Sequence, residues 1–530
     1  MIKNIPKSVF LYLIVLMVAI CSCKQKPVIA TKLTEHYKND VYQDYDSAAF
    51  HTEFKKQFEL LKANLHYADA IESYYTDNNF EPRLVQNFLT DGQLRKFVQY
   101  LNRAKEHGIN PEIFKGADIA KLLDTVQANR FKTIGEVYPV LARVEIESAN
   151  ALLSYSSVMQ FGVINPYKVF RRYETKPLRP DSASFKKALD ADNLVGYLEQ
   201  VQPKNPAYIQ LKKALADINM DVVDSPKLFR IKTLKLNMER LRWQIPAKED
   251  TYILVNIPAF NLQWVQGGKP MLNMRVCVGQ PRPLDYEARL NTYLKTRNID
   301  DRPQNHQTPV LNSHINTIQL NPTWRIPSSI AQNEIYYLIQ KNPDYFDDNN
   351  IKVYYKDKEV TRPDTIRWAH IKREHIPYTF KQDASDLNAL GKFKFIFDND
   401  NSVYLHDTPN KKAFFSDWRA ISHGCVRVQD PLMLTRLLVG DTTRMDAIRI
   451  EVGMQPLDTL SKHKYAKLLA ARAAAGYQLK SKFIEPAKPV QLFIDYYTCL
   501  PDETGKPIFY FDAYRMDPDL EKAMGKYLSK

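Results

Sequence analysis

Metal-binding spacings are missing from this sequence. Beyond the N-terminal segment there is no C-x-x-C, and the eleven histidines form neither an H-E-x-x-H nor any comparable cluster. No metal site and no cofactor are therefore expected. No internal repeat and no low-complexity linker occurs, and no apolar run reaches the roughly 20 residues that a membrane-spanning helix needs. Cysteine is scarce, with five in 530 residues. What is present is an ordinary globular balance of 44% hydrophobic and 25% charged residues, which excludes wholesale disorder, collagen and coiled coil. At roughly 100–200 residues per domain the length suits about three domains and excludes a single small binding module. Lys and Arg number 74 against 60 Asp and Glu, a net charge of +14. Such a surface suits an acidic partner. No nucleic-acid recognition motif accompanies it, so no nucleic-acid partner is expected.

Residues 1–23 have the form of an export signal. Lys3 and Lys7 precede an apolar run from Val9 to Ile20, and Cys21-Ser22-Cys23 follows at once. The end of this run resembles a bacterial lipobox, in which a small residue precedes the lipidated cysteine. Ser22 is small and Ile20 is not, so Cys23 is the candidate lipid anchor, tethering an exported protein to a membrane. Soluble secretion after ordinary cleavage and, more weakly, a permanent transmembrane anchor are the alternatives. Cys277, Cys425 and Cys499 remain. An odd number in an oxidising compartment leaves at least one free thiol, which points to a nucleophile.

Residues 32–245 read as helices. Leu94, Phe97, Val98 and Leu101 recur with helical spacing after candidate caps Thr90 and Asp91, and before a stop at Gly108 and Pro111. Val137 to Met159 and Leu228 to Trp243 predict two further helices. At Thr251 the pattern changes to β-rich runs: Tyr252 to Ile257, Phe260 to Val265, Leu272 to Val278, Ile315 to Leu320, Lys392 to Phe397 and Val403 to His406. Residues 326–382 are more helix-like and aromatic, and read as an insertion. Pro431 to Val439 and Tyr465 to Tyr477 predict helices. The strand-like runs Val490 to Cys499 and Ile508 to Tyr514 flank a turn at Asp502 to Gly505. The fold class is α+β.

The densest set of reactive residues is Ser422-His423-Gly424-Cys425-Val426-Arg427, with His406 nineteen positions before Cys425. A free thiol with pKa about 8.5 needs a neighbouring base or cation to act as a nucleophile at neutral pH. Gly424 allows a sharp backbone turn with amide N–H groups facing an oxyanion. Arg427 suits a substrate carboxylate or a lowered thiol pKa. A buried cysteine beside core histidines is the plain alternative on spacing alone.

The pattern H-x15-S-H-G-C-x-R resembles the active-site motif of the L,D-transpeptidases, cysteine enzymes that cross-link bacterial peptidoglycan. The likeness extends to Val255 to Phe260, Gln307-Thr308-Pro309, Asn321 to Pro327, Leu390 to Phe395 and Tyr404 to Pro409. It is to the large branch of the family, and implies a helical scaffold domain (32–245) and a β-rich catalytic domain (251–453) with an inserted cap (326–382); an extension (454–530), open to joining the same sheet, follows. It implies Cys425 as nucleophile, His406 as general base and acid, Gly424 as an oxyanion-hole backbone, and Ser422 and His423 as supporting residues. Arg427, Trp324, Arg325 and Tyr378 are the candidate substrate contacts. The implied partners are peptidoglycan stem peptides, a tetrapeptide donor and an amine acceptor joined in a 3-3 cross-link, and carbapenems are implied to acylate Cys425.

Only 25 positions separate Leu211 from Leu236, too few for the separate peptidoglycan-binding module common in that branch. Asp430 stands where compact members often have Asn. Alternatives are an L,D-carboxypeptidase or wall-peptide cysteine hydrolase and, in a different class, a non-catalytic wall-binding lipoprotein. Cys277 and Cys499 are expected as buried thiols, with a disulfide between them allowed by parity.

Overall fold

A computed structural model describes residues 26–218, 224–474 and 479–529. The export segment with Cys21 and Cys23, and Tyr477 at the end of an expected helix, lie outside the described residues. No helix among them is long and apolar enough to cross a membrane.

The described chain from Val28 to Arg242 carries helices and no strand. Those used below are α1 (Ser47–Leu61), α2 (Gln93–Asn102), α3 (Ile134–Phe161) and α4 (Ser225–Arg242). On α2 the expected stripe Leu94, Phe97, Val98 and Leu101 is buried. Asp91 supports its start by accepting from the Gln93 N–H at 3.0 Å, and the chain leaves through Gly108 in the left-handed region at φ 74°. Helix α3 has 28 residues, about 42 Å of helix. Val137, Leu141, Val144, Ile146 and Leu152 are all buried, too many directions for one stripe, so α3 is the axis on which α1 and its neighbours pack.

On α4, Glu239 and Arg242 are buried as well as Leu234 and Met238. The Glu239 carboxylate accepts from Val163 N at 2.7 Å, Ile164 N at 2.9 Å and Trp243 Nε1 at 3.1 Å, and pairs with Arg242 at 2.7 Å. It thus ties the chain after α3 to the end of α4. A buried carboxylate is tolerable only with this many donors.

The strands are β1 (Thr251–Asn256), β2 (Asn261–Gln266), β3 (Lys269–Gly279), β4 (Leu311–Leu320), β5 (Trp324–Arg325), β6 (Ile351–Tyr355), β7 (Lys358–Glu359) and β8 (Tyr378–Gln382). They continue as β9 (Phe393–Phe397), β10 (Leu405–His406), β11 (Ala420–Ser422), β12 (Val426–Val428), β13 (Lys482–Ile484), β14 (Val490–Asp495), β15 (Cys499–Pro501) and β16 (Pro507–Phe509). Further helices are α5 (Tyr286–Thr296), α6 (Pro431–Val439), α7 (Thr459–Ala474) and α8 (Met516–Met524). The architecture is α+β: a helical region followed by a β-rich domain.

Pairing runs β3-β12-β10-β9-β4-β14-β1-β2 and returns to β3, a closed ring of eight strands with β11 and β13 attached. Closure is possible because β3 is long. Its first part pairs with β2 over Lys269 to Arg275, and its last part with β12 at Val276 and Cys277. Val255, Leu262, Val276, Ile318, Phe395 and Leu492 are buried in the core. Strand β14 belongs to the segment set apart from sequence as an extension, yet it lies between β1 and β4. Its pairing with β1 is parallel and spans more than 200 residues of chain, beyond what local pattern reveals. Helix α8 returns to α4 through Arg240 and Asp517 at 2.6 Å.

Together with β5 just before it, the insertion builds a four-stranded sheet, β5-β8-β6-β7, with a core of its own at Ile335, Phe346, Val353, Trp368 and Phe380. It is less helical than its sequence suggests, because β6 and β8 pair as an antiparallel ladder.

Candidate active site

The backbone alone assembles the reactive residues. Strands β10 and β12 are parallel neighbours with Leu405 opposite Val426 and His406 opposite Arg427, so Tyr404 falls opposite Cys425. Leu405, Val426 and Val428 point into the core. By the alternation of strands, Tyr404, His406, Cys425 and Arg427 share the other face. The row through His406 continues to Lys394 on β9 and to Cys277 on β3, beside Arg427.

The loop before Cys425 is held by three hydroxyls. Ser422 Oγ donates to the Cys425 carbonyl at 2.6 Å and accepts from Gly424 N at 3.1 Å. Thr308 Oγ1 donates to the Gly424 carbonyl at 2.8 Å and accepts from Gly279 N at 2.8 Å. Tyr514, from the C-terminal segment, donates to the Gly279 carbonyl at 2.8 Å and accepts from Thr308 N at 3.0 Å. Gly424 sits at φ 123°, where a side chain would be strained. The Gly424 N–H is engaged by Ser422, and the Cys425 N–H makes no hydrogen bond among the described residues.

His406 is buried, and its Nδ1 pairs with the backbone carbonyl of Asp407. Nδ1 therefore carries the hydrogen and Nε2 is the basic nitrogen. Burial pushes the imidazole down to about 3, with Arg427 and Lys394 acting in the same direction. Asp407 is itself anchored, accepting from Lys392 N at 2.8 Å and Thr408 N at 2.7 Å. Burial pushes the Cys425 thiol up, while Tyr404, Lys394 and Arg427 pull it down. The Lys394 ammonium lies 3.9 Å from the centre of the Tyr404 ring. Arg427 Nε is buried without a hydrogen-bond partner among the described residues.

Tyr404, His406, Cys425 and Arg427 line a cavity of about 680 Å³. Its walls are the β10 and β12 residues, Tyr286 and Tyr293 of α5, His306, and Trp324 and Ile330 at the base of the cap. The cap is joined across it by Glu334, whose carboxylate meets His423 Nε2, and by Arg373, which meets Asp300. The His423 and His306 rings are 4.5 Å apart.

Of the expected substrate contacts, Trp324 and Arg427 line the cavity with Ser422, His423, His406 and Cys425. Arg325 and Tyr378 do not. Arg325 is exposed on β5, and Tyr378 packs 5.3 Å from Trp368 and 5.6 Å from Tyr355 in the cap. Asp430 caps α6, accepting from Met433 N at 2.9 Å. Cys277 and Cys499 are buried and unpaired, Cys277 on β3 and Cys499 beside Tyr208, Leu211 and Leu234, so no disulfide joins them. Burial pushes the Cys499 thiol up to about 12. Arg172, His306 and Glu334 are not singled out by sequence. Each comes from a segment far from Cys425 along the chain and lacks a local motif.

A closed β-barrel with Cys425 and His406 lining one cationic cavity under a cap, behind a helical region, defines the class. Residues 250–449 match the L,D-transpeptidase catalytic domain and residues 69–215 match the Scaffold domain. The chain therefore carries an L,D-transpeptidase catalytic domain and a Scaffold domain. Over 252 residues it is 28% identical to a Haemophilus influenzae protein named "Putative L,D-transpeptidase". That alignment covers 48% of this chain and 45% of the relative, so the chain spans about half the length of the curated relative it matches.

Proposed function

We propose that the protein is a peptidoglycan L,D-transpeptidase that forms 3-3 cross-links from tetrapeptide donors through a Cys425 thioester. The observation that carries this reading is the shared face of the β10–β12 ladder, where Cys425 accompanies a neutral His406 with a basic Nε2. In this mechanism Nε2 takes the thiol proton as Sγ attacks the carbonyl of the third stem residue. The C–S bond forms, the C–N bond breaks, and D-Ala leaves with the proton returned by His406. The Cys425 N–H serves the oxyanion, a donor of this kind contributing about 3 to 4 kcal/mol. A side-chain amine of a second stem then attacks the thioester, His406 takes its proton, and the thiol is restored.

The domain division 32–245, 251–453 and 326–382 is part of the proposal, with β13 and β14 counted into the catalytic barrel. So are export, anchoring through a lipid on Cys23, and action outside the cytoplasm. The test is incubation of the purified chain with defined tetrapeptide muropeptides. Loss of D-Ala with formation of a 3-3 dimer is expected, and no dimer is expected from Cys425→Ala. Release of D-Ala without a dimer would replace cross-linking by carboxypeptidase activity, and a Cys425→Ala chain that still makes dimers would end the proposal.

A further inference from the structure

Among the residues lining the cavity, Arg172 alone comes from the helical region. It lies within the segment matched as the Scaffold domain. The backbone around it is clamped to the barrel: Val310 N donates to the Arg172 carbonyl at 3.0 Å, and Glu174 N to the Val310 carbonyl at 2.8 Å. Tyr173 is buried with its ring 5.9 Å from that of Trp243. The Glu174 carboxylate is occupied by Asp400 N at 3.2 Å and by Asn401 Nδ2. Arg172 is thus held rigidly, with its own φ at 53°.

The guanidinium reaches the catalytic loop. Nη1 donates to the Gln307 carbonyl and lies 3.5 Å from the point that a Cβ on Gly424 would occupy. That bond to Gln307 is the only hydrogen bond it makes among the described residues, so its other N–H groups have no protein acceptor there, and the side chain lines the cavity. The lining holds Arg172, Arg302 and Arg427, and no Asp or Glu. Arg427 is in the ladder between Cys277 and His406, and Arg302 is 5.8 Å from the Tyr293 ring on the outer wall. Arg172 is the cation placed one residue from the thiol on the Gly424 side.

A tetrapeptide donor carries its terminal carboxylate one residue past the scissile bond, about 3.8 Å of chain. We propose that Arg172 binds this carboxylate of the leaving residue, so that a side chain of the helical region selects donors ending at that position. The inference rests on the acyl-transfer reading above. A planar fork of N–H donors suits a carboxylate and discriminates against an amide, which brings a donor of its own toward the guanidinium. A donor longer by one residue presents a peptide bond there.

The test compares acylation of the full chain by a tetrapeptide, its C-terminal amide and a pentapeptide, followed by mass spectrometry of the Cys425 thioester. The unaltered chain should prefer the acid over the amide by about tenfold or more, the scale of one charged hydrogen bond. In Arg172→Gln this preference should vanish, mainly through KM for the acid, while Arg172→Lys retains part of it. Preference unchanged in Arg172→Gln, or equal loss on acid and amide, would overturn the assignment. Should Arg172→Gln not fold, protection of Cys425 from iodoacetamide in the unaltered chain decides: the acid should protect at lower concentration than the amide, and equal protection overturns the proposal. Absence of any thioester in the unaltered chain overturns the acyl-transfer reading itself, whereas thioester formation without acid preference overturns only the role of Arg172.

Discussion

His406 and Arg427 are Cα partners in the parallel ladder between β10 and β12, so the imidazole of one lies beside the permanent cation of the other. With Lys394 paired to His406 on its far side, this burial among cations keeps the ring neutral. Cys425, on the same face of the ladder, has its thiol pushed up by burial, against the pull of Tyr404, Lys394 and Arg427.

Alkylation of Cys425 by iodoacetamide, read by peptide mass, should rise with pH as the thiol ionises. It should show no inflection in the ordinary histidine range. Arg427→Gln removes a cation that favours the thiolate, so the rise should move to higher pH. A histidine inflection in the unaltered chain would contradict a neutral His406.

His406→Ala should lower single-turnover acylation by about a hundred- to ten-thousandfold, the span of a lost general base. Binding of the donor should change little. A loss below tenfold would assign proton transfer to another group.

Glu334→Ala should loosen the cap without unfolding it, because the cap keeps its own core around Phe346 and Phe380. Hydrogen exchange should quicken around His306 and His423 and stay slow at Val353. The hydrogen bond from His423 holds the Glu334 carboxyl below its ordinary value. The contact therefore contributes above the ordinary carboxylate range and is lost as pH falls through the lowered value, so acid should mimic the substitution.

Gly279→Ala should be severe for a steric reason. A Cβ there would stand 1.8 Å from the His306 carbonyl oxygen, a backbone atom that cannot swing away. The expected cost is about 3 kcal/mol or more, seen as a lower Tm, together with slower acylation because Thr308 would shift from Gly424.

Glu239→Ala should destabilise by about 3–5 kcal/mol, since it strands the Arg242 charge in the core. Both side chains are 0% exposed. Thermal unfolding checks this, and a change near zero would mean that water enters the site.

Much of the fold is legible locally. The stripe Leu94, Phe97, Val98 and Leu101 and the run that becomes β9 follow periods of 3.6 and 2, which short windows contain. The expected Trp324 and Arg427 reach the cavity, while Arg325 and Tyr378 do not. An insertion of residues 326–382 must bury aromatics to hold itself together, so Tyr378 serves the cap's own packing against Trp368. Aromatic content alone does not tell a groove from a core.

By itself the sequence determined the α+β order and the Cys425 motif with its upstream His406, since each is written in neighbouring residues. Only the tertiary structure decided that His406 is neutral, that the Gly424 N–H is occupied by Ser422, that β14 closes the barrel, and that Arg172 enters the cavity from 253 positions upstream of Cys425. Those properties depend on burial and on register between distant strands, which set the dielectric and the neighbours of each group and which no local window contains.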